Sequence, residues 1–324
     1  MTEQLKLKLN DSKATRWGAL VIVAFTMMAA YYVNDVVAPL KTMLETDLAW
    51  SSTDFGFFTG GYSFLNVFFL MLIWGGLILD RFGIRFTGKL ATILMVGGTA
   101  LEYYAMTGLA GADATLFGIN EIFGYKTGVF VAFAGYSIFG VGAEVAGITV
   151  SKIIAKWFKG KELATAMGVQ VALARIGSQA GYAVAIPLAR AFGISTPVLL
   201  GLVLLLGGMI AFFIFAVMDK KLDKQMEAAA IAAGTEDEEE KFSFKDVKNI
   251  LVNPGFWLIA LLCVLFYSCV FPFQKFASEL MIIKYGINEN VAGTFAGLPA
   301  LGALILTPVF GGFIDKRGKS ASIM

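Results

Sequence analysis

The feature that most constrains this chain is the uncharged run from Phe55 to Leu79, which breaks abruptly into Asp80-Arg81-Phe82-Gly83-Ile84-Arg85. At ~1.5 Å per residue, about 25 helical residues cross a ~30 Å hydrocarbon core. The same device returns as Gly311-Gly312-Phe313-Ile314-Asp315-Lys316-Arg317-Gly318-Lys319, again behind an apolar span. Gly76, four residues before the acid, predicts a close approach by a neighbouring helix, and Gly83, three after it, predicts a sharp reversal. The acid falls where a helix end meets basic groups or another helix's positive N-terminus. Two copies, each following a hydrophobic span, describe an internally repeated membrane protein.

This turn resembles the loop between the second and third helices of the major facilitator superfamily, G-x-x-x-D-R-x-G-x-R. Gly76, Asp80, Arg81, Gly83 and Arg85 match it, while Phe86 stands where a further basic residue is frequent; the second copy matches at Gly311, Asp315, Lys316 and Gly318. The resemblance implies an all-α membrane protein with a six-helix N-terminal bundle followed by the first two helices of a second bundle. It also implies a gating role for the two turns, whose charges would lock the halves in one state and part in the other.

Composition excludes several other classes. With 57% hydrophobic and 15% charged residues, the chain is not a soluble protein. There is no histidine, so histidine metal sites and relays are absent and carboxylates are left as the titrating groups within the membrane. Cys263 and Cys269 lie six residues apart in one expected helix, on different faces, which argues against a disulfide between them. No nucleophile–base pair, phosphate loop, metal cluster or basic–aromatic patch stands out. Neither an enzyme nor a nucleic-acid binder is expected, and no cofactor or metal.

Hydropathy gives eight spans, roughly 17–40, 53–79, 87–108, 127–151, 162–189, 195–218, 255–280 and 290–314. Twenty lysines and arginines lie on the side of the N-terminus and both repeated turns, against four (Lys41, Lys126, Arg190, Lys284) on the other. The positive-inside rule therefore places the N-terminus in the cytoplasm. The expected organisation is a cytoplasmic N-terminus (1–16), a six-helix bundle (17–218), a cytoplasmic linker (219–253) and the start of a second bundle (254–324). A solvated linker suits the mixed charges and the acidic cluster Glu236–Glu240. The insert from Leu109 to Lys126 reads as a small external cap without a legible role. A facilitator has four more helices after its second turn, so the chain reads as a fragment of a longer protein. In the absence of other targeting signals, the expected location is the inner (plasma) membrane.

Charges inside the spans carry the functional reading, because each must face a cavity or a partner. Asp35, Glu102, Glu144, Arg175, Lys275 and Glu279 qualify. Arg175 lies ~21 Å along its helix from either polar flank, near the midplane, where snorkelling is hardest. Glu144 and Arg175 could form a structural ion pair between adjacent helices, or receive the ammonium and the carboxylate of a zwitterion, the latter through the guanidinium fork. A narrower resemblance bears on this choice. Gly142-Ala143-Glu144, Trp157-Phe158-Lys159-Gly160-Lys161-Glu162-Leu163, Ala174-Arg175-Ile176-Gly177-Ser178 and Phe271-Pro272-Phe273 are similar to the lysosomal dipeptide transporters of the superfamily and their bacterial relatives. That resemblance implies that Glu144 binds a dipeptide's amino end and Arg175 its carboxyl end.

Gln274, Lys275 and Tyr182 are further candidates for the substrate path, although Lys275 and Glu279, one turn apart, would also satisfy each other. Tyr31, Tyr32 and Tyr62 could wall the cavity. Asp35 or Glu144 could carry a proton, and Glu102 reads as a hydrogen bonder in helix packing or as a residue near the outer end of its span. The expected partners are a small-molecule substrate, the lipid bilayer and, as an open question, protons. The rivals are a proton-coupled carrier of sugars or organic anions and a non-transporting membrane scaffold or sensor.

Overall fold

The computed structural model describes residues 8–110, 115–233 and 251–306. Ser12 opens α1 (Lys13–Val36) by accepting a hydrogen bond from the Thr15 amide, one of the amides a helix start leaves free. Pro39 has no amide hydrogen to donate. The chain passes through a 3₁₀ turn, Ala38–Leu40, into the short α2 (Lys41–Asp47). A reciprocal cap between Ser51 and Asp54 starts α3 (Ser52–Phe68).

The second expected span is not one straight helix. It breaks after Phe68, with Leu70 at φ 51°, and bends by 58° into α4 (Met71–Thr107). The sequence at the break, Val67-Phe68-Phe69-Leu70, contains neither glycine nor proline, and hydropathy does not distinguish a bent apolar helix from a straight one. The predicted reversal is present further on. Gly83 adopts φ 75° and ψ 173°, a region essentially open to glycine alone. The expected loop between the second and third spans shrinks to that residue.

A two-stranded antiparallel hairpin, β1 (Glu121–Ile122) and β2 (Tyr125–Lys126), precedes α5 (Thr127–Trp157). Then follow α6 (Leu163–Phe192), α7 (Thr196–Ala233), α8 (Pro254–Tyr285) and α9 (Glu289–Ala296), after which helix continues to Leu306. Because α7 stays helical through Ala233, the first part of the expected linker prolongs the sixth span. Both cysteines are free and exposed.

Among the described residues, five helices are long and apolar enough to cross a membrane, or six if α3 and α4 count as one bent span. Eight spans were expected, and two of the differences have visible causes. α4 runs through the turn at Gly83, and α6 has the length but carries Gln170, Arg175, Ser178, Gln179 and Arg190.

The bundle is built by α4 on α5, α3 on α5, and α1 on α6 and α7. The α4–α5 crossing depends on paired glycines: a Cβ on Gly98 would lie 2.5 Å from the Gly135 carbonyl oxygen, and one on Gly135 2.6 Å from that of Gly98. At the repeated turn the expected close contact is displaced by one residue. A Cβ on Gly76 would meet open space, whereas one on Gly75 would lie 2.6 Å from Val145. Gly75 is the position that faces α5.

Charges clasp the N-terminal end of the bundle. Asp80 accepts from Lys152 at 2.9 Å, Arg85 reaches Asp223 at 2.7 Å and Asp219 at 3.6 Å, and Lys156 and the Trp157 indole also converge on Asp219. Arg81 is exposed, its guanidinium 5.6 Å from the Phe82 ring. Lys161 donates to Asp11 at 2.8 Å and holds that carboxyl below the usual carboxylate range, helped by the Lys8 amide. The turn charges expected to lock the two halves thus tie α4 to α5 and α7 within one bundle. Asp315, Lys316 and Gly318 lie outside the described residues.

Candidate functional site

A cavity of about 500 Å³ opens between the six-helix bundle and α8, a volume suited to a small ligand. Its wall includes Tyr31 and Asn34 from α1, Tyr62 from α3, Glu144 from α5, and Lys275 and Phe276 from α8. Both halves of the fold therefore contribute charge to one space.

Glu144 accepts a hydrogen bond from the Tyr62 hydroxyl at 2.8 Å, its one partner among the described residues. Arg175 is half-buried on α6 and carries its guanidinium 5.6 Å from the ring of Tyr31, which itself lines the cavity. The structural ion pair foreseen between Glu144 and Arg175 is not formed: no contact within 4.0 Å links them. The reason is topological, since α6 packs mainly on α1, whereas α5 packs mainly on α4 and α3. Glu144 lines the cavity itself, whereas Arg175 is not part of its wall and meets it only through the ring of Tyr31.

Lys275 is held elsewhere than expected. It donates to the Asn34 carbonyl and, at 3.0 Å, to the Tyr136 hydroxyl, and lies 3.8 Å from the Asp35 carboxylate. Asn34 donates to Asp35 at 2.8 Å, and the Tyr136 hydroxyl donates back to the Asn34 carbonyl at 2.8 Å. The anticipated Lys275–Glu279 pair is replaced by two contacts that cross from α8 to the first bundle, because Glu279 pairs with Lys41 at 2.5 Å. Lys41, only 2% exposed, also contacts Glu45 at 2.7 Å and Ser52 at 2.8 Å. Beside these contacts, at the same end of the bundle, Arg190 bonds Glu289 and, at 2.9 Å, Asn290. Among the described residues, each ion pair between the halves thus lies towards the end away from the N-terminus or at the cavity.

Tyr182 and Gln274, expected on the substrate path, sit in the seam between α6 and α8. The buried Tyr182 hydroxyl donates to the Gln274 carbonyl at 3.1 Å, and its ring packs with Ala38, Ala277 and Ala296. Tyr32 is buried and donates to the Pro197 carbonyl at 3.2 Å. These tyrosines join helices rather than wall the cavity. Asn34, Tyr136 and the buried Lys41 were missed as site residues. Asn34 could have been found beside Asp35, and Lys41 from its spacing to Glu45, but nothing local marks Tyr136.

Glu102 is fully buried and neither carboxyl oxygen has a hydrogen-bond partner among the described residues, so it is not the hydrogen bonder that one of its two readings expected. The isosteric Glu102→Gln keeps the shape and removes the ionisable group, so stability is expected to hold or rise. A fall of more than about 1 kcal/mol in a thermal or denaturant unfolding series would show that the carboxyl is used.

The family model for the Major Facilitator Superfamily matches residues 17–324. The human lysosomal dipeptide transporter MFSD1 is 27% identical over 321 residues, covering 95% of this chain and 63% of that protein. The zebrafish (Danio rerio) protein of the same name is 26% identical over 312 residues, covering 93% and 62%. The chain thus spans about three fifths of the length of these relatives. Among solved structures, the xylose transporter XylE from E. coli, in a partially occluded inward-open conformation, superposes with a TM-score of 0.60 at 16% identity, over 93% of this chain and 73% of that one. A D-xylose–proton symporter gives a TM-score of 0.59 at 15% identity, covering 93% and 69%. At these identities the solved structures establish the fold.

Proposed function

The chain belongs to the major facilitator superfamily, and from that premise we propose that it is part of a secondary transporter moving small zwitterions, foremost dipeptides, by alternating access. One observation carries the reading: Glu144 lines the cavity and Arg175 lies against its Tyr31 wall, the two charges unpaired with each other. Glu144, with only Tyr62 bonded to it, keeps acceptor capacity for an ammonium group. Arg175 rests against an aromatic ring, without a carboxylate partner among the described residues, and keeps its fork for a carboxylate. A substrate with both termini free satisfies both groups, so neither ion is left alone in a low dielectric. The names of the curated relatives support the same substrate class.

The other charges fit this role. Lys275 and Asp35 are mutually paired, so they add little net charge to the cavity. The contacts of Lys41 with Glu279 and Arg190 with Glu289 close one end, and rocking the halves apart would break them. In this reading that end faces away from the cytoplasm, the N-terminus is cytoplasmic and the membrane is the plasma membrane, the orientation resting on the distribution of basic residues. For proton exchange Glu144 is retained, because Asp35 is committed to Lys275 and Asn34.

The test is ligand-induced thermal stabilisation of the purified full-length protein. Binding to the native state alone raises stability by about 2.7 kcal/mol at a hundredfold excess over Kd. Dipeptides with free termini should raise the melting temperature, whereas the same dipeptides acetylated at the amine or amidated at the carboxyl, and xylose, should not. Stabilisation by xylose in place of dipeptides would transfer the assignment to a sugar carrier, and stabilisation by none of them would favour the scaffold.

A further inference from the structure

The insert between α4 and α5 contains two Phe-Gly steps six residues apart, and each forms the centre of a tight turn. Phe117 (φ 54°) and Gly118 (φ 80°) turn the chain between Leu116 and Ile119, whose amides and carbonyls exchange hydrogen bonds at 3.0 Å. Phe123 (φ 53°) and Gly124 (φ 80°) turn it between β1 and β2. Two successive left-handed residues define the turn that suits a two-residue hairpin, and its first position favours asparagine, aspartate or glycine. A bulky side chain there is disfavoured. Both turns nevertheless use phenylalanine, and both rings project outward, 96% and 88% exposed.

The hairpin is fastened to the bundle. The Thr127 amide and hydroxyl donate to the carbonyls of Asn120 and Ile119 at 2.9 and 2.8 Å, Lys126 donates to the Ala49 carbonyl, and Tyr125 stacks on Phe57 with ring centres 3.9 Å apart. Phe123 lies 6.0 Å from Phe130, from which an aromatic face runs through Phe133 and Phe64 to the exposed Phe68 on α3. That face belongs to helices that cross the membrane, so Phe123 extends an apolar surface already turned towards lipid, and Phe117, at the preceding turn, is exposed in the same hairpin insert. From Leu116 to Tyr125 the one charged residue is Glu121.

We propose that residues 116–126 are an interfacial lipid anchor, with Phe117 and Phe123 seated at the headgroup–acyl boundary at the end of the bundle away from the N-terminus. The occupant of this surface is the bilayer, because the surface is continuous with the membrane-facing aromatic face and one element is fixed to the other. Two rigidly presented aromatic rings lose little freedom on insertion, and a hairpin secured to α3 and α5 fixes the depth of that side of the bundle.

The test places a spin label at Phe117→Cys, Phe123→Cys or Glu121→Cys in a Cys263→Ser, Cys269→Ser background. Accessibility to oxygen, which partitions into lipid, and to a water-soluble nickel chelate is measured in proteoliposomes. The ratio of oxygen to nickel accessibility is expected to be several-fold higher at 117 and 123 than at 121. Equal nickel accessibility at all three sites would put the hairpin in water, and protection from both reagents at 117 and 123 would point to a protein partner or a second copy. Either result overturns the proposal. Phe117→Trp and Phe123→Trp, with quenching by lipid-borne bromine, provide the same test without a label.

Discussion

Arg175→Lys is expected to weaken binding of a dipeptide with free termini by roughly 10- to 100-fold, the equivalent of about 1.5–3 kcal/mol for one charge-assisted hydrogen bond. The charge survives this change but the fork does not: an ammonium cannot offer two parallel donors to one carboxylate. Its contact with the Tyr31 ring also changes, since a planar cation lies across an aromatic face and a point charge does not. A carboxyl-amidated dipeptide provides the control. It should bind the unaltered protein weakly and lose little more in the variant, because the group that reads the carboxylate has already been made redundant. Titration of both ligands against both proteins closes a double-mutant cycle with one arm on the ligand. If the variant loses free and amidated dipeptides by the same factor, Arg175 supports Tyr31 and does not read a carboxylate.

How far the sequence carried depends on the length scale of the interaction. Asp80, Gly83 and Arg85 announced a turn because its chemistry is local: the positive φ of Gly83 needs glycine, whatever packs around it. Glu144 and Arg175 were legible as charges in apolar helices, where any ionisable group is expensive. Their partners were not legible, because pairing across a bundle depends on which helices touch. Lys275 and Glu279, neighbours on one helix, turned instead to Asp35 on α1 and Lys41 on α2. Gly76 and Gly75 show the limit of pattern at its narrowest, since a rotation of one residue moves the close contact from the glycine of the motif to the one beside it. Hydropathy puts Lys41 in a loop, one residue beyond the first expected span. The chain instead continues through a tight turn and takes the lysine inward, between Glu45 and Glu279.

The contacts that cross between the halves give the second large effect. Lys275→Met should destabilise the state in which α8 is docked on the bundle, because Asp35, 8% exposed, keeps its carboxylate and loses the nearest cation. Breaking one side of a buried pair costs about 3–5 kcal/mol, whereas replacing both sides by neutral groups is often close to neutral. The double variant Asp35→Asn with Lys275→Met should therefore recover most of the loss. Part of the deficit will remain, because Lys275 also donates to Asn34 and Tyr136. The readout is the distance distribution between spin labels near Arg190 on α6 and Glu289 on α9, where the halves meet. A shift of 3 kcal/mol changes a two-state population ratio by roughly 150-fold, enough to move the ensemble from closed to open at that end. The single variant should show the longer distance and the double variant the shorter one. If the double variant stays open, the halves are held by the hydrogen bonds of Lys275 to Asn34 and Tyr136 and not by charge. The state of the two halves would then be set by the geometry of α1 at Asn34.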